Sequence, residues 1–195
     1  MIKTVIKQLV ITILLTLGLS QAAVAAELEG VKLPGTARVV EGGADLVLNG
    51  AGVRTRFFFR VYVGALYLGR KTPEANAVIN DPGAKRIALH MLRELSAEQF
   101  VSALEEGLKK NHSAEQLAKL DASVKQLRAI FDAVKVAKEG DSIYIDSLPG
   151  TGTRITVNGA VKGTIAGEEF NRALLRIWFG ENPADSDLKK GMLGG

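Results

Sequence analysis

The chain has 195 residues, with 25 Lys and Arg against 21 Asp and Glu, no cysteine and two histidines. A net charge of +4 with the signs interspersed gives no argument for nucleic acid or anionic lipid as a partner. The missing thiols exclude cysteine nucleophiles, iron–sulfur clusters and Cys-based zinc sites. His90 and His112 fall in different predicted elements without H-x-x-x-H spacing, so no metal, cofactor or Ser–His triad is expected.

Residues 1–26 read as a secretory signal peptide. Lys3 and Lys7 form a positive start, Leu9 to Leu19 is an apolar run of signal length, and Ala23-Val24-Ala25-Ala26 offers cleavage after Ala25 or Ala26. The run falls short of the roughly 20 residues of a membrane span; the competing reading is an uncleaved anchor. The expectation is a periplasmic chain whose mature part, residues 27–195, forms one domain without a transmembrane segment.

Residues 27–36 read as an irregular lead-in ending at Pro34-Gly35. Ala37–Val40 and Leu46–Leu48 read as short strands around Gly42-Gly43, and Asn49-Gly50-Ala51-Gly52 as a turn or bulge. Val53 to Leu68 is rich in aromatic and β-branched residues and reads as one long strand. Alternation puts Val53, Phe57, Phe59, Val61, Val63, Ala65 and Tyr67 on a face expected to meet the main core. Arg54, Arg56, Phe58, Arg60, Tyr62 and Leu66 share the other, which is either a solvated sheet face or the lining of an amphipathic cleft.

Thr72-Pro73 reads as the start of a short helix to about Asn80, and Lys85–Leu92 as a strand. Ser96-Ala97-Glu98-Gln99 and Ser113 to Gln116 are capping-box patterns opening two helices. The first has the stripe Phe100, Leu104, Leu108. The second carries Leu117, Leu120, Val124, Leu127, Phe131 and Val134, with Gly140 as the stop signal. Ser142–Leu148, Thr153–Val157 and Ala160–Ile165 read as a meander with an Asn158-Gly159 turn. The Pro149-Gly150-Thr151-Gly152-Thr153 stretch between strands is a hairpin connection, because a phosphate loop must feed a helix. Glu168–Phe179 reads as an amphipathic helix with the stripe Phe170, Leu174, Trp178 and with Gly180 as its C′ residue. Segregated strands and helices predict an α+β fold with a mainly antiparallel sheet.

Asn49-Gly50-Ala51-Gly52-Val53-Arg54, followed by Val61-Tyr62-Val63-Gly64-Ala65-Leu66-Tyr67-Leu68, resembles the chalcone isomerase superfamily. Leu92 to Phe100, Gly159 to Gly167, and Ile177 to Pro183 with Asp187-Leu188-Lys189 agree in the same order and resemble its bacterial branch. The resemblance implies an antiparallel sheet packed against a helical layer with a ligand cleft between them. The plant enzymes of that family cyclise a chalcone without a cofactor. Carried over, the family's arginine falls on Arg54, its threonine on Tyr62, its tyrosine on Phe100, its lysine on Ala103 and its asparagine on Gly107. The late cleft-lining pair falls on Ile177 and Trp178. Arg54 is thus the one polar catalytic position retained, and Phe, Ala and Gly supply no donors to reacting atoms.

The family's fatty-acid-binding members hold a carboxylate with an arginine and a tyrosine. That implies Arg54 and Tyr62 as ligand-binding residues here, with Phe100 and Leu104 on the acyl-chain wall. Eight residues of unbroken strand span about 26 Å, so Arg54 and Tyr62 could share one carboxylate only across a bend; Tyr67 is the substitute candidate. The expected function is non-catalytic binding of a small amphipathic carboxylate, such as a fatty acid, between sheet and helices. An intramolecular lyase, which a narrow slot beside Arg54 would favour, and an interaction protein, which a closed cleft would favour, are the alternatives.

Overall fold

The computed structural model describes residues 24–195. The predicted signal peptide falls outside them except for Val24, Ala25 and Ala26, which begin strand β1 (Val24–Leu28). β1 pairs antiparallel with β2 (Val31–Pro34) across Glu29-Gly30. Both turn residues have positive φ, 52° and 76°, as a type I′ hairpin demands. The expected irregular lead-in is therefore a hairpin; Glu-Gly is a weaker turn signal than Asn-Gly.

A seven-stranded sheet dominates the molecule. Its members are β3 (Thr36–Ala37), β4 (Leu46–Arg56), β5 (Phe59–Leu68), β6 (Lys85–Met91), β9 (Ser142–Leu148), β10 (Gly152–Val157) and β11 (Ala160–Ile165), in the spatial order β11-β10-β9-β6-β5-β4-β3. Every neighbouring pair is antiparallel. Asn158-Gly159 makes the expected tight turn with φ of 50° and 78°, and Pro149 to Gly152 joins β9 to β10. The expected α+β fold and antiparallel sheet are what the chain forms.

Helices α2 (Ala97–Asn111), α3 (Ala114–Val134) and α4 (Glu168–Phe179) contribute to one large core with the sheet; α1 (Ala75–Asn80) joins it at one end. Both capping boxes form. Ser96 accepts from the Gln99 amide and Ser113 from the Gln116 amide, and each glutamine returns a bond to its cap. Each such cap is worth about 1 kcal/mol. Phe100 of α2 lies 4.6 Å from Phe131 of α3, ring centre to ring centre. A strand pair β7 (Leu95–Ser96) and β8 (Val136–Ala137) ties the start of α2 to the chain after α3.

Three helix boundaries differ from expectation. Thr72 does not cap α1; its hydroxyl accepts from the Glu74 amide in a turn, and Glu74 precedes the helix. α3 stops at Val134, where Lys135 turns to φ 67°, and Gly140 serves the following turn instead. Gly180 is not left-handed, at φ −69°. It is glycine because a Cβ there would stand 2.3 Å from Asn111 Oδ1 and 2.5 Å from the Arg176 carbonyl.

The other sheet face is also covered. Leu33 of β2, Val39, Leu46, Leu48, Val63, Ala65, Tyr67 and Ala88 form a second core. Beside it, the fully buried Asp146 carboxylate accepts from Arg86 at 2.6 and 2.9 Å and from Arg154 at 2.7 Å; Arg154 also donates to the Val39 carbonyl. Burial on both faces explains why Val61 to Leu68 reads as continuous apolar sequence.

Val53–Leu68 is not one strand. The chain reverses at Phe57-Phe58, and Arg56 pairs with Phe59. Thr55 then pairs with Arg60 and Arg54 with Tyr62, which leaves Val61 as an extra residue in β5. Such a bulge shifts the alternation by one. Tyr62, Leu66 and Leu68 consequently face the helical core, and Val63, Ala65 and Tyr67 the second core. The expected groups stay together, because the bulge restores the parity that the two-residue turn shifts, but it is the mixed cationic–aromatic group that meets the larger helical core, with Tyr62 and Leu66 at 2% and 0% exposure.

A second bulge falls at Asn49, between the pairs Leu48–Tyr67 and Gly50–Leu66. The Asn49 side chain donates to the Thr72 and Met192 carbonyls and accepts from the Thr72 amide. Beyond it, helix α5 (Ser186–Met192), which the sequence reading did not mark as a helix, lies on the glycines of β4. A Cβ on Gly50 would stand 2.3 Å from the Gly191 carbonyl oxygen, and one on Gly52 3.0 Å from Leu188 Cα. Backbone cannot yield as a flexible side chain can. Gly50→Ala should therefore cost about 1–3 kcal/mol, read as a lowered midpoint in thermal unfolding. Gly69→Ala, where a Cβ meets open space, should shift that midpoint far less.

Candidate functional site

The tight reversal at Phe57-Phe58 removes the distance that separates Arg54 from Tyr62 in an unbroken strand. The two residues are direct cross-strand partners, and the Arg54 guanidinium carbon lies 5.6 Å from the centre of the Tyr62 ring. Bulge and hairpin together turn both side chains to the helical side.

Tyr62 is buried, and its hydroxyl accepts a hydrogen bond from the Trp178 indole N–H at 2.9 Å. That bond engages one lone pair and leaves the phenol's own proton for another acceptor. Burial pushes the Tyr62 pKa upward; the Arg54 charge and the Trp178 bond pull the other way without cancelling it. The hydroxyl is thus a neutral donor. Arg54 is half-buried, and its Nε is fully buried without a hydrogen-bond partner. An orphaned buried N–H of a charged group is costly and marks a place where an acceptor would be stabilising.

The nearby acid is engaged elsewhere. Asp185 caps α5, one oxygen accepting from the Asp187 and Leu188 amides and the other from the Thr55 amide, each at 2.9 Å. It anchors the helix to the end of β4 beside Arg54.

Arg54 stands between two hollows. One, of about 220 Å³, is bounded by Arg54, Arg56, Arg93, Phe59, Val61 and Ala103 among others. The other, of about 190 Å³, is bounded by Arg54, Ala103, Glu106, Gly107, Lys110 and Ala184 among others. Neither includes Phe100 or Leu104. These two expected wall residues are 4% and 3% exposed inside the helical core, so the space beside Arg54 lies at the rim of the sheet–helix layer. Gly107 shows why the interior is closed: a Cβ there would stand 2.7 Å from Ile177 Cγ2. The helices α2 and α4 meet where the resemblance would place an asparagine.

A larger hollow lies elsewhere. About 810 Å³ in volume, it lies between the 39–46 segment and α1, lined by Val39, Leu46, Leu68, Ala77 and Val78 with Arg70 and Asp81 as its charged groups. Tyr62 and Leu68 are six residues apart on β5, about 20 Å, so this hollow is remote from Arg54.

Comparison with known proteins settles the relationship. The family described as chalcone isomerase-like matches residues 25–194. The chain belongs to that family. Among solved structures, a fatty-acid binding protein of Arabidopsis thaliana is 15% identical, with a TM-score of 0.66 over 84% of this chain and 92% of that one. At that identity the likeness shows the shared chalcone isomerase-like fold. No curated protein matches the chain in sequence.

Of the sequence candidates, the fold brings Arg54 and Tyr62 together and leaves Phe100 and Leu104 in the core. Tyr67 points into the second core on the opposite sheet face, where burial raises its pKa to about 12. Sequence reasoning missed Arg93, which joins the site from the β6–α2 connection, and the bond from Trp178 to Tyr62. The helical stripe marked Trp178 as buried, and a buried indole N–H needs an acceptor; that was the available signal. On alkaline titration followed by ultraviolet difference absorbance, Tyr62 and Tyr67 should remain un-ionised at pH 10, the ordinary tyrosine value. Tyr62→Phe should leave the absorbance change near pH 10 unaltered.

Proposed function

We propose that this chalcone isomerase-like chain binds a small amphipathic carboxylate, of the fatty-acid class, without transforming it. The observation that carries this reading is the buried, unpartnered Nε–H of the half-buried Arg54 guanidinium, which borders both rim hollows. A carboxylate supplies the acceptor that this N–H lacks, and a guanidinium fork matches it in shape and charge, while Tyr62, 2% exposed and bordering neither hollow, backs Arg54 from the core. The 220 Å³ hollow is below the 300–1,000 Å³ that encloses a drug-sized ligand. It takes the head group and the first methylenes, with the rest of the chain lying over Phe57 and Phe59. The fatty-acid binding protein of Arabidopsis thaliana with the same fold supports the ligand class.

Chalcone-type cyclisation has little support in the side chains. Phe100, Ala103 and Gly107 offer no proton donor or acceptor, and burial holds the Tyr62 hydroxyl neutral. The filled interior around Phe100, Leu104 and Trp178 also suits a pure interaction protein; the orphaned Arg54 donor is what favours a ligand.

Isothermal titration with a medium-chain fatty acid should show binding that Arg54→Ala weakens about tenfold to a hundredfold, with an unchanged circular dichroism spectrum. Arg54→Lys should weaken it as well, through loss of the fork. Arg56→Ala and Arg60→Ala, nearer the solvent, should each cost less than about fivefold. Equal losses at all three would indicate a diffuse basic surface. Full binding in Arg54→Ala would move the ligand to the apolar hollow near Leu68. The same protein should leave naringenin chalcone cyclising at its uncatalysed rate.

Export to the periplasm belongs to the same proposal. Cleavage after Ala25 or Ala26 would shorten β1 yet leave the pairs Glu27–Lys32 and Leu28–Val31. N-terminal sequencing of the periplasmic protein should begin at Ala26 or Glu27; an intact Met1 would overturn it.

A further inference from the structure

Among the described residues five large apolar side chains are exposed, and three of them are consecutive: Phe57, Phe58 and Phe59, at 83%, 97% and 59%. They form the turn of the β4–β5 hairpin. Phe57 has φ 56° and stands first of the two turn residues. A two-residue turn with positive φ at that position ordinarily takes glycine there, because a side chain in the left-handed region is strained. A bulky aromatic in a strained and wet position works against both folding stability and solubility. Such an outlier points to a use for the side chain itself.

Cations surround the aromatic tip. Arg56 and Arg60 bracket it in sequence, and the Arg93 guanidinium carbon lies 4.6 Å from the centre of the Phe59 ring. Arg60 is paired with Glu29, and Arg56 stands 3.8 Å from Glu106, which Lys110 also engages at 2.8 Å. Around the two hollows behind the tip, Arg54, Arg56, Arg93 and Lys110 outnumber Glu94 and Glu106, four charges to two. The excess is positive at the one place, among the described residues, where consecutive large apolar side chains are exposed, although the overall composition is nearly balanced.

We propose that the Phe57–Phe59 tip inserts into the interface of a bilayer bearing anionic lipids, with Arg56 and Arg93 at the level of the phosphates. The shape selects this occupant. Phe58 is almost wholly exposed at the end of a protruding hairpin, so a flat protein surface would cover one side of it, whereas lipid closes around a protrusion. Aromatic rings backed by cations suit the boundary between acyl chains and head groups. The proposal does not depend on Arg54 holding a carboxylate.

The test places a reporter at the tip. Trp178 is the only native tryptophan and is 1% exposed, so Phe58→Trp in the full chain adds one exposed indole. With vesicles of equimolar phosphatidylglycerol and phosphatidylcholine, its emission should shift to the blue and be quenched by brominated lipid. Arg56→Gln or Arg93→Gln on that background should weaken the vesicle titration about fivefold each, and added salt should weaken it further. Phe57→Ser should reduce the quenching. No shift at any lipid concentration would overturn the proposal, as would an equal shift on pure phosphatidylcholine. A blue shift that grows with protein concentration without lipid would also overturn it, because the tip would then be docking into another copy, for which the hollow near Leu68 is the available apolar receptor.

Discussion

One extra residue in β5 decides which side of the sheet the following strand presents. Without the bulge at Val61, Tyr62 would turn away from the helices and lose both Trp178 and Arg54. With it, a run that is apolar on both faces settles into two cores, the larger under the helices and the smaller under the β1–β2 hairpin and the 39–46 segment. The bulge acts together with the reversal two residues earlier. The hairpin brings Arg54 opposite β5, and the bulge selects the residue it meets.

The site is consequently a rim feature of a filled fold. The glycine on α2 that faces Ile177 allows the helices to meet where the family resemblance would put a polar group, and Phe100 stacks on Phe131 in place of a hydroxyl. Loss of reactive groups and closure of the interior are therefore the same set of residues seen two ways. What stays open is the strip beside Arg54, between the hairpin tip and α2, where apolar and cationic surface adjoin.

Much of the fold was legible because local chemistry and global packing agree. The two capping boxes, the Asn158-Gly159 turn and the Phe170, Leu174, Trp178 stripe each state their structure without help from distant residues. The reversal at Phe57-Phe58 was not legible: two phenylalanines carry no turn signal, and continuous apolar sequence hides the change of strand. The grouping by face survives that miss, because the turn and the bulge each shift the alternation by one and cancel; what differs is which group meets the helices, since the more apolar group belongs to the smaller core. The sequence pattern around Gly50 and Gly52 states a turn or bulge. Their larger role depends on a helix some 140 residues later, which a local reading does not reach. Arg54 and Tyr62 came from the family resemblance, and their meeting came only with the hairpin. Phe100 and Leu104 were misplaced on a cleft wall because helical periodicity marks a buried stripe and does not say whether a ligand or another side chain buries it.

The seating of α5 on β4 also has a consequence for the order of folding. Asn49 donates to the carbonyl of Met192, a separation of 143 residues. The glycine face of β4 stays bare, and the bulge at Asn49 half-bonded, until α5 has docked. Contacts of such range close late and slow the search for the native state. The hairpin that builds the rim can form early from near neighbours, but its final support arrives with the C-terminal turn of helix. Until α5 docks, a folding chain therefore holds a strand with exposed backbone on one face, a template on which another chain could pair or pack.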